Sequence, residues 1–317
     1  MRILFAGTPA LAVPSLMKTA HAHEIVGVLT TPDQPAGRGR GLVCSPVKDA
    51  AAKLDLKVLQ PEKLDEPFLE IVRSLGPDIL VVAAYGKIFR PPFLALFRHG
   101  GINVHPSLLP RFRGPSPITA AILEGDSVTG VTIQKVARRF DTGDILSQER
   151  FPLKGDETTA TLSAALAPVG AELLSGVLGE LATGRQPDAR AQVESEATYC
   201  RTFRKEDGVV SWEKPAAVIE RKVRAFDPWP RASTLLAGET LLLLKSHLYP
   251  DNLAADHPRG GRQPGEVLAA EKDHGLLVQT GSGILAVERL QLQFKKSLDW
   301  RAFLNGHPAI VGTRLGA

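Results

Sequence analysis

The order of apolar segments over residues 2–104 constrains this chain more than any other feature. Short runs of strand character alternate there with stretches of helical period. Arg2–Ala6 leads into Gly7-Thr8-Pro9 and a helix-like stretch, Leu11–Thr19. Glu24–Thr30 reads as a second strand, Pro46–Lys53 as a helix and Lys57–Leu59 as a short strand. Pro67–Leu75 reads as helix and Ile79–Ala83 as a fully buried strand; helical residues around Pro92–Phe97 then precede Gly101–Val104. A β-α-β-α order of this kind gives a parallel sheet with helices on both faces. Ligands of such sheets sit at the carboxyl ends of the strands. The loops after Ala6, Ala83 and Val104 are therefore expected to share one edge.

The remainder of the 317 residues has a different character, and the length suits two domains. A long helix-like run, Thr159–Leu181, stops at Thr183-Gly184-Arg185-Gln186-Pro187. Residues 189–207 are charged and poor in bulky apolar groups, so they read as a linker. From Gly208 onward short candidate strands (Val209–Trp212, Ala232–Leu236, Thr240–Lys245, Gly265–Ala270, Gly275–Thr280 and Gly283–Leu290) are divided by Gly, Pro and Asp, with a helix at Val218–Ala225. Many short strands with turns suggest a small barrel. The expected organisation is an α/β domain over 1–188, a linker over 189–207 and a smaller β-barrel domain over 208–317.

No apolar run reaches the ~18–20 residues that span a bilayer, and the N-terminal apolar stretch ends at Gly7, too short for an export signal. A cytoplasmic protein without a membrane segment is expected. Two cysteines, Cys44 and Cys200, frame neither a disulfide scaffold nor a Cys-rich zinc site. His21 and His23 have metal-like spacing but no partnering Cys or carboxylate cluster, so no metal is expected. Net charge is +4, with 14 Lys and Arg against 11 Asp and Glu in residues 208–317. That surplus weakly favours a polyanion surface in the C-terminal third.

Three stretches can carry chemistry. Asn103-Val104-His105-Pro106-Ser107-Leu108-Leu109-Pro110 follows a predicted strand, and strand alternation puts Asn103 and His105 on one face. An amide donor beside an imidazole suits polarisation of a carbonyl and stabilisation of the oxyanion formed from it. A capped strand end with a surface histidine would use the same residues. In Asp141-Thr142-Gly143-Asp144, the carboxylate of Asp144 leads into Ile145-Leu146 and can face the same cleft, or serve only as an Asx-turn. Pro35-Ala36-Gly37-Arg38-Gly39-Arg40-Gly41 combines backbone freedom with two guanidinium forks that match phosphate. It has neither a P-loop nor a G-x-G-x-x-G pattern, so it reads as a grip on a nucleic-acid backbone or as a solvated loop.

Taken together these stretches resemble the folate-dependent formyltransferases. The resemblance runs through Phe5–Pro9, Pro32–Gly39, Ser45–Lys48, Ala84-Tyr85-Gly86, Asn103–Pro110, Arg113-Gly114, Gly130–Ile133, Asp141–Asp144 and Arg224–Pro230. The Asn-x-His-x-Ser-Leu-Leu-Pro block with a later Asp marks the family as a whole. The arginine loop and the C-terminal module containing Phe226–Pro230 are what its tRNA-directed members carry. The resemblance implies a Rossmann-like domain holding 10-formyltetrahydrofolate and an OB-like barrel supporting initiator methionyl-tRNA, whose α-amino group would receive the formyl group for translation initiation. It further places Asn103, His105 and Asp144 at the catalytic positions; a monomer is expected. Ser107, Leu108, Leu109 and Pro110 match the folate-contacting segment, and Arg38, with Arg40 beside it, falls in the tRNA-contacting loop. The run Val136-Ala137-Arg138-Arg139-Phe140 departs from the acidic, glycine-containing run of many relatives. A formyltransferase or formylfolate hydrolase acting on small molecules, and a non-catalytic tRNA-binding module, are the competing readings.

Overall fold

A computed structural model describes residues 1–36, 41–250, 252–253 and 261–316. Arg38 and Arg40 lie outside the described residues. The chain forms two compact units. One comprises Met1–Pro117, Ser127–Leu153 and Thr161–Arg201; the other comprises Ile118–Asp126, Lys154–Ala160 and Thr202–Ala317.

Up to Ala182 the elements are β1 (Arg2–Gly7), α1 (Val13–Ala22), β2 (Glu24–Leu29), β3 (Gln34–Ala36), β4 (Gly41–Val43), α2 (Pro46–Lys53), β5 (Val58–Leu59), α3 (Glu66–Leu75), β6 (Ile79–Ala83), α4 (Pro91–Leu94), β7 (Gly101–His105), α5 (Pro117–Glu124), β8 (Val128–Lys135), β9 (Ile145–Pro152) and α6 (Thr159–Ala182). The main sheet has seven strands in the order β5-β2-β1-β6-β7-β8-β9. The first five are parallel, as the alternating pattern predicts. β8 and β9 add antiparallel strands at one edge: β8 returns against β7 after the 106–127 connection, and the short connection 136–144 turns the chain straight back into β9. The register pairs Gly7 with Ala83 and Ala83 with Val104, so the loops after β1, β6 and β7 do share one edge.

Strand alternation divides the core between the two faces of this sheet. Ile3, Phe5, Val28, Ile79, Val81, Ile102 and Ile133 pack with Leu174, Val177 and Leu178 of α6. Leu4, Ala6, Leu80 and Val82 pack with Phe68, Phe89, Phe93 and Phe97 on the opposite side. The helices start and stop on local signals. Ser45 accepts the Lys48 N–H at 3.0 Å to cap α2, where Pro46 takes the first position. α3 ends on Gly76 in the left-handed conformation (φ 57°). α6 is long and apolar enough to cross a membrane. Leu162, Leu166, Leu174 and Leu178, at helical spacing, are buried inside the protein, as in a core helix.

The second unit contains α7 (Ala216–Ala225), β10 (Ala232–Leu236), β11 (Glu239–Leu248), β12 (Val267–Glu271), β13 (Gly275–Gln279), β14 (Ile284–Leu292), β15 (Leu298–Asp299) and α8 (Trp300–Gly306). Its antiparallel sheet runs β10-β11-β14-β13-β12, with β15 on β14, in the manner of an OB-like barrel. Trp212, Ile219, Leu243, Val278, Val287 and Phe303 are among the residues that fill it. Val209–Trp212 does not form the expected strand; Val209 makes an isolated bridge to Ser233 and Trp212 turns inward, its indole N–H donating to Thr234 at 3.0 Å.

The boundary also differs from the expected one. Residues 190–200 are not a free linker, because their backbone pairs within the first unit at two places. Arg190 exchanges hydrogen bonds with Ile145 (2.8 and 2.9 Å), and Arg113 bonds to Thr198 and Cys200 (2.9 and 2.8 Å). Low apolar content made this stretch look like a linker, yet it is anchored by backbone and polar side chains rather than by core burial.

Leu174→Ala removes a side chain buried to 1% exposure between α6 and the sheet. It is expected to destabilise the protein by about 2–5 kcal/mol, read as a lower denaturation midpoint in urea.

Candidate active site

β7 ends in Asn103-Val104-His105 at the shared carboxyl edge. Its antiparallel partner β8 sets Gln134 opposite Asn103 and Thr132 opposite His105, so these four side chains face one side of the sheet. Val104 faces the other side, where it lines a small apolar cavity with Leu11, Ala83, Pro106, Val131 and Leu166.

The carboxylate that meets this polar face belongs to Asp141. Its Oδ1 accepts from the Gln134 amide at 2.8 Å and from the Asn103 amide at 3.4 Å. Oδ2 accepts the Gly114 backbone N–H at 2.8 Å. His105 Nδ1 lies 3.6 Å from Asp141 Oδ1, with His105 buried and Asp141 largely so (side chains 5% and 11% exposed). The other ring nitrogen, Nε2, is 3.0 Å from the Phe112 carbonyl. The imidazole thus faces two acceptors. A neutral ring has one N–H to offer them, whereas an imidazolium has two.

Asp144, the carboxylate expected beside His105, sits elsewhere. Its side chain is 43% exposed and pairs with Lys135 Nζ at 3.2 Å. The cause is backbone pairing: the Asp144 carbonyl accepts the Lys135 N–H at 2.9 Å, which places the two residues side by side on the solvent face. Asp141, three residues earlier, adopts a left-handed backbone (φ 54°), a conformation Asp tolerates better than most residues. Gly143 then passes so close to β8 that a Cβ would run into the Lys135 carbonyl.

The Ser107–Pro110 segment is held from inside. Ser107 Oγ donates to the Arg111 carbonyl at 2.6 Å, Thr132 Oγ1 donates to the Ser107 carbonyl at 2.7 Å, and the Leu109 N–H donates back to Thr132 at 3.2 Å. Gln148 completes this network, donating to the Leu109 carbonyl at 2.9 Å and to Thr132 at 2.8 Å. Ser107 and Leu109 are fully buried, which leaves Leu108 and Pro110 partly exposed. Nearby, Tyr85 stacks on Phe89 at 5.6 Å, and burial pushes its hydroxyl up to about 12. In the loop before Asp141, Arg138, Arg139 and Phe140 are exposed. Among the described residues no group of three His, Cys, Asp or Glu side chains could hold a metal ion.

Gln134 and Gln192 are site residues that the pattern did not single out. The one signal for Gln134 is its alternation with Val131 and Ile133 in a strand-like segment, on the same face as Thr132. Gln192 carries no local signal.

An Asn-His-Asp cluster at the carboxyl edge of a Rossmann-like sheet, in a chain that also carries an OB-like barrel, defines the class. A family model described as Formyl transferase matches residues 1–178, and one described as Formyl transferase, C-terminal domain, matches residues 202–308. The chain belongs to the formyl transferase family. Among curated proteins it is 45% identical over 316 residues to the methionyl-tRNA formyltransferase of Treponema denticola, covering 97% of each chain. To the methionyl-tRNA formyltransferase of Treponema pallidum (strain Nichols) it is 46% identical over 324 residues, covering 100% of this chain and 99% of that one. Among solved structures, HypX from Aquifex aeolicus in complex with tetrahydrofolic acid shares the fold, with a TM-score of 0.63 at 18% identity, over 98% of this chain and 48% of that one.

Two glycine substitutions should act in opposite directions. Gly143→Ala drives a methyl group into the Lys135 carbonyl and is expected to cost about 1–3 kcal/mol. Gly179→Ala, on an exposed position of α6 with open space around it, should stabilise by about 0.5–1 kcal/mol. Denaturant midpoints of the two variants check the pair.

Proposed function

We propose that the protein transfers the formyl group of 10-formyltetrahydrofolate to the α-amino group of methionyl-initiator-tRNA, for translation initiation. The observation that carries this reading is the convergence of Asn103, His105 and Asp141 on one face of the sheet edge. Full-length likeness to methionyl-tRNA formyltransferases, C-terminal domain included, supports tRNA as the acceptor. The two guanidinium groups of the arginine loop, Arg38 and Arg40, suit an acceptor with a phosphate backbone.

The folate supplies a formyl group on its N10. The methionyl amine forms a bond to the formyl carbon, the bond from that carbon to N10 breaks, and one proton passes from the amine to N10. Asn103 has two amide hydrogens; one points to Asp141 and the other is free to donate to the formyl oxygen as it gains negative charge. His105, protonated, stabilises that charge through space. Asp141, rather than Asp144, is the carboxylate that pairs with His105 and receives the amine proton directly or through one water. Leu108 and Pro110, on the rigid 107–110 loop, are the members of that segment able to touch the folate. Arg38 and Arg40 engage phosphates of the tRNA acceptor arm, and the C-terminal barrel supports the tRNA body.

All these groups come from one chain, which is in keeping with an enzyme that acts as a monomer. Cys44 and Cys200 are both free thiols, which suits the reducing cytoplasm.

Purified protein incubated with 10-formyltetrahydrofolate and methionyl-tRNA should yield N-blocked methionyl-tRNA, and an amino-sugar nucleotide in its place should not be formylated. The reverse preference would overturn the tRNA assignment. Asn103→Ala should lower turnover by about 10²–10³ through loss of one oxyanion donor. Asp141→Asn should lower it by about 10²–10⁴, whereas Asp144→Asn should leave it within about threefold, as expected of an exposed ion pair. Arg38→Ala should weaken use of tRNA and flatten its dependence on salt concentration, because binding with one phosphate contact fewer releases fewer counterions.

A further inference from the structure

We propose that the stretch 190–200 is a working part of the active site, and that Gln192 is a positioning residue holding the Asp141 loop in its catalytic geometry. The proposal rests on the formyl-transfer reading above. It concerns residues that lie between the two family matches, where the sequence suggested a linker.

One amide does the holding. Gln192 Nε2 donates to the Asp141 carbonyl at 2.8 Å and to the Gly143 carbonyl at 2.7 Å, and it lies 3.3 Å from Gln134 Oε1. Its two N–H groups therefore span both ends of the tight turn that carries the carboxylate. The other end of the amide is also used, since Gln192 Oε1 accepts from Arg113 Nε at 3.0 Å. Arg113 is itself fixed. Its side chain is 1% exposed, and Nη1 donates to Glu194 at 2.8 Å and to the Tyr199 hydroxyl at 3.0 Å. The hydrogen bond from Arg113 keeps the Glu194 carboxyl below the usual carboxylate range.

Asp141 needs such support. It sits at φ 54°, a left-handed backbone that costs any non-glycine residue free energy, though Asp less than most. Gln134 and Gly114 fix the carboxylate, but they do not touch the carbonyls of the turn. Gln192 does. The paired backbone of Arg190 and Ile145 delivers Gln192 to this position. The same stretch steadies the histidine as well: Thr198 Oγ1 accepts the Phe112 N–H at 2.9 Å, and the Phe112 carbonyl faces His105 Nε2. A displacement of an ångström at a reacting group can cost about 10²-fold in rate, so a clamp on this turn has catalytic consequences without meeting substrate.

The test uses the full-length enzyme. Gln192→Ala should lower kcat for methionyl-tRNA formylation by about 10–10²-fold while KM for the tRNA stays within about twofold. Backbone amide hydrogen exchange over residues 136–144 should speed up in the variant and stay unchanged elsewhere. Gln192→Glu, which sets a carboxylate against two carbonyls, should lose at least as much activity. In an Asp141→Asn background Gln192→Ala should cost less than about twofold further, because a residue acting through Asp141 is not additive with its loss. Wild-type kcat in both variants, or a full additional loss in the Asp141→Asn background, would overturn the proposal. Unchanged exchange over 136–144 would overturn it whatever the substrate. Failure of the wild-type enzyme to formylate methionyl-tRNA, with faster exchange still seen in Gln192→Ala, would instead count against the functional reading and confine Gln192 to holding the turn.

Discussion

The arrangement depends on one largely buried carboxylate. Asp141 lies under the sheet edge with little solvent, and a carboxylate there is tolerable only if its oxygens are matched by donors. The donors come from three separate pieces of chain: Gln134 on β8, Gly114 in the loop beyond β7, and Asn103 on β7 itself. Their convergence fixes the register of β7 against β8 and the path of the 106–114 loop together. A one-residue slip of β7 would turn Asn103 and His105 toward the apolar face and take one of the carboxylate's three donors and its imidazole partner away. The site is therefore a consequence of strand pairing as much as of the residues that form it.

The two faces of β7 show how little separates core from chemistry. Ile102 and Val104 lie toward α6 and the apolar layer, while Asn103 and His105 lie on the polar side between them. The loop that follows is rigid because Ser107, Thr132 and Gln148 satisfy one another and the backbone of Leu109. Side chains that look available for a ligand in the sequence are thus spent on shape, and only their neighbours Leu108 and Pro110 retain surface.

The parallel sheet was legible because strands buried on both faces leave continuous apolar runs, as Ile79–Ala83 does with all five residues inside. The barrel was legible from turn residues spaced between short strands. Asn103 and His105 were legible because alternation along a strand is strict. The carboxylate was not. Asp141 and Asp144 flank the same glycine turn with the same side chain, and nothing local tells them apart. The difference lies in pairing: the Asp144 backbone joins the ladder opposite Lys135 and so faces water, while Asp141 is turned inward by a left-handed backbone. Stretch 190–200 was illegible for a related reason. It is held by backbone pairing and polar side chains, which leave no hydrophobic period.

That polar stretch also answers a requirement of the sheet. β9 is an edge strand, and an open edge offers unpaired N–H and C=O groups to any passing chain. Arg190 covers the start of this edge by exchanging both hydrogen bonds with Ile145, the first residue after the Asp141–Asp144 turn. Any segment that pairs there must run beside the turn, and its next inward side chain must meet the carbonyls that the turn exposes. Gln192 is two residues on, the spacing that returns a side chain to the same face of an extended chain. Two carbonyls call for two donors on one planar group, which an amide provides and a hydroxyl or carboxylate does not. The need to cover an edge and the need to hold a strained catalytic turn are thus met by the same piece of backbone.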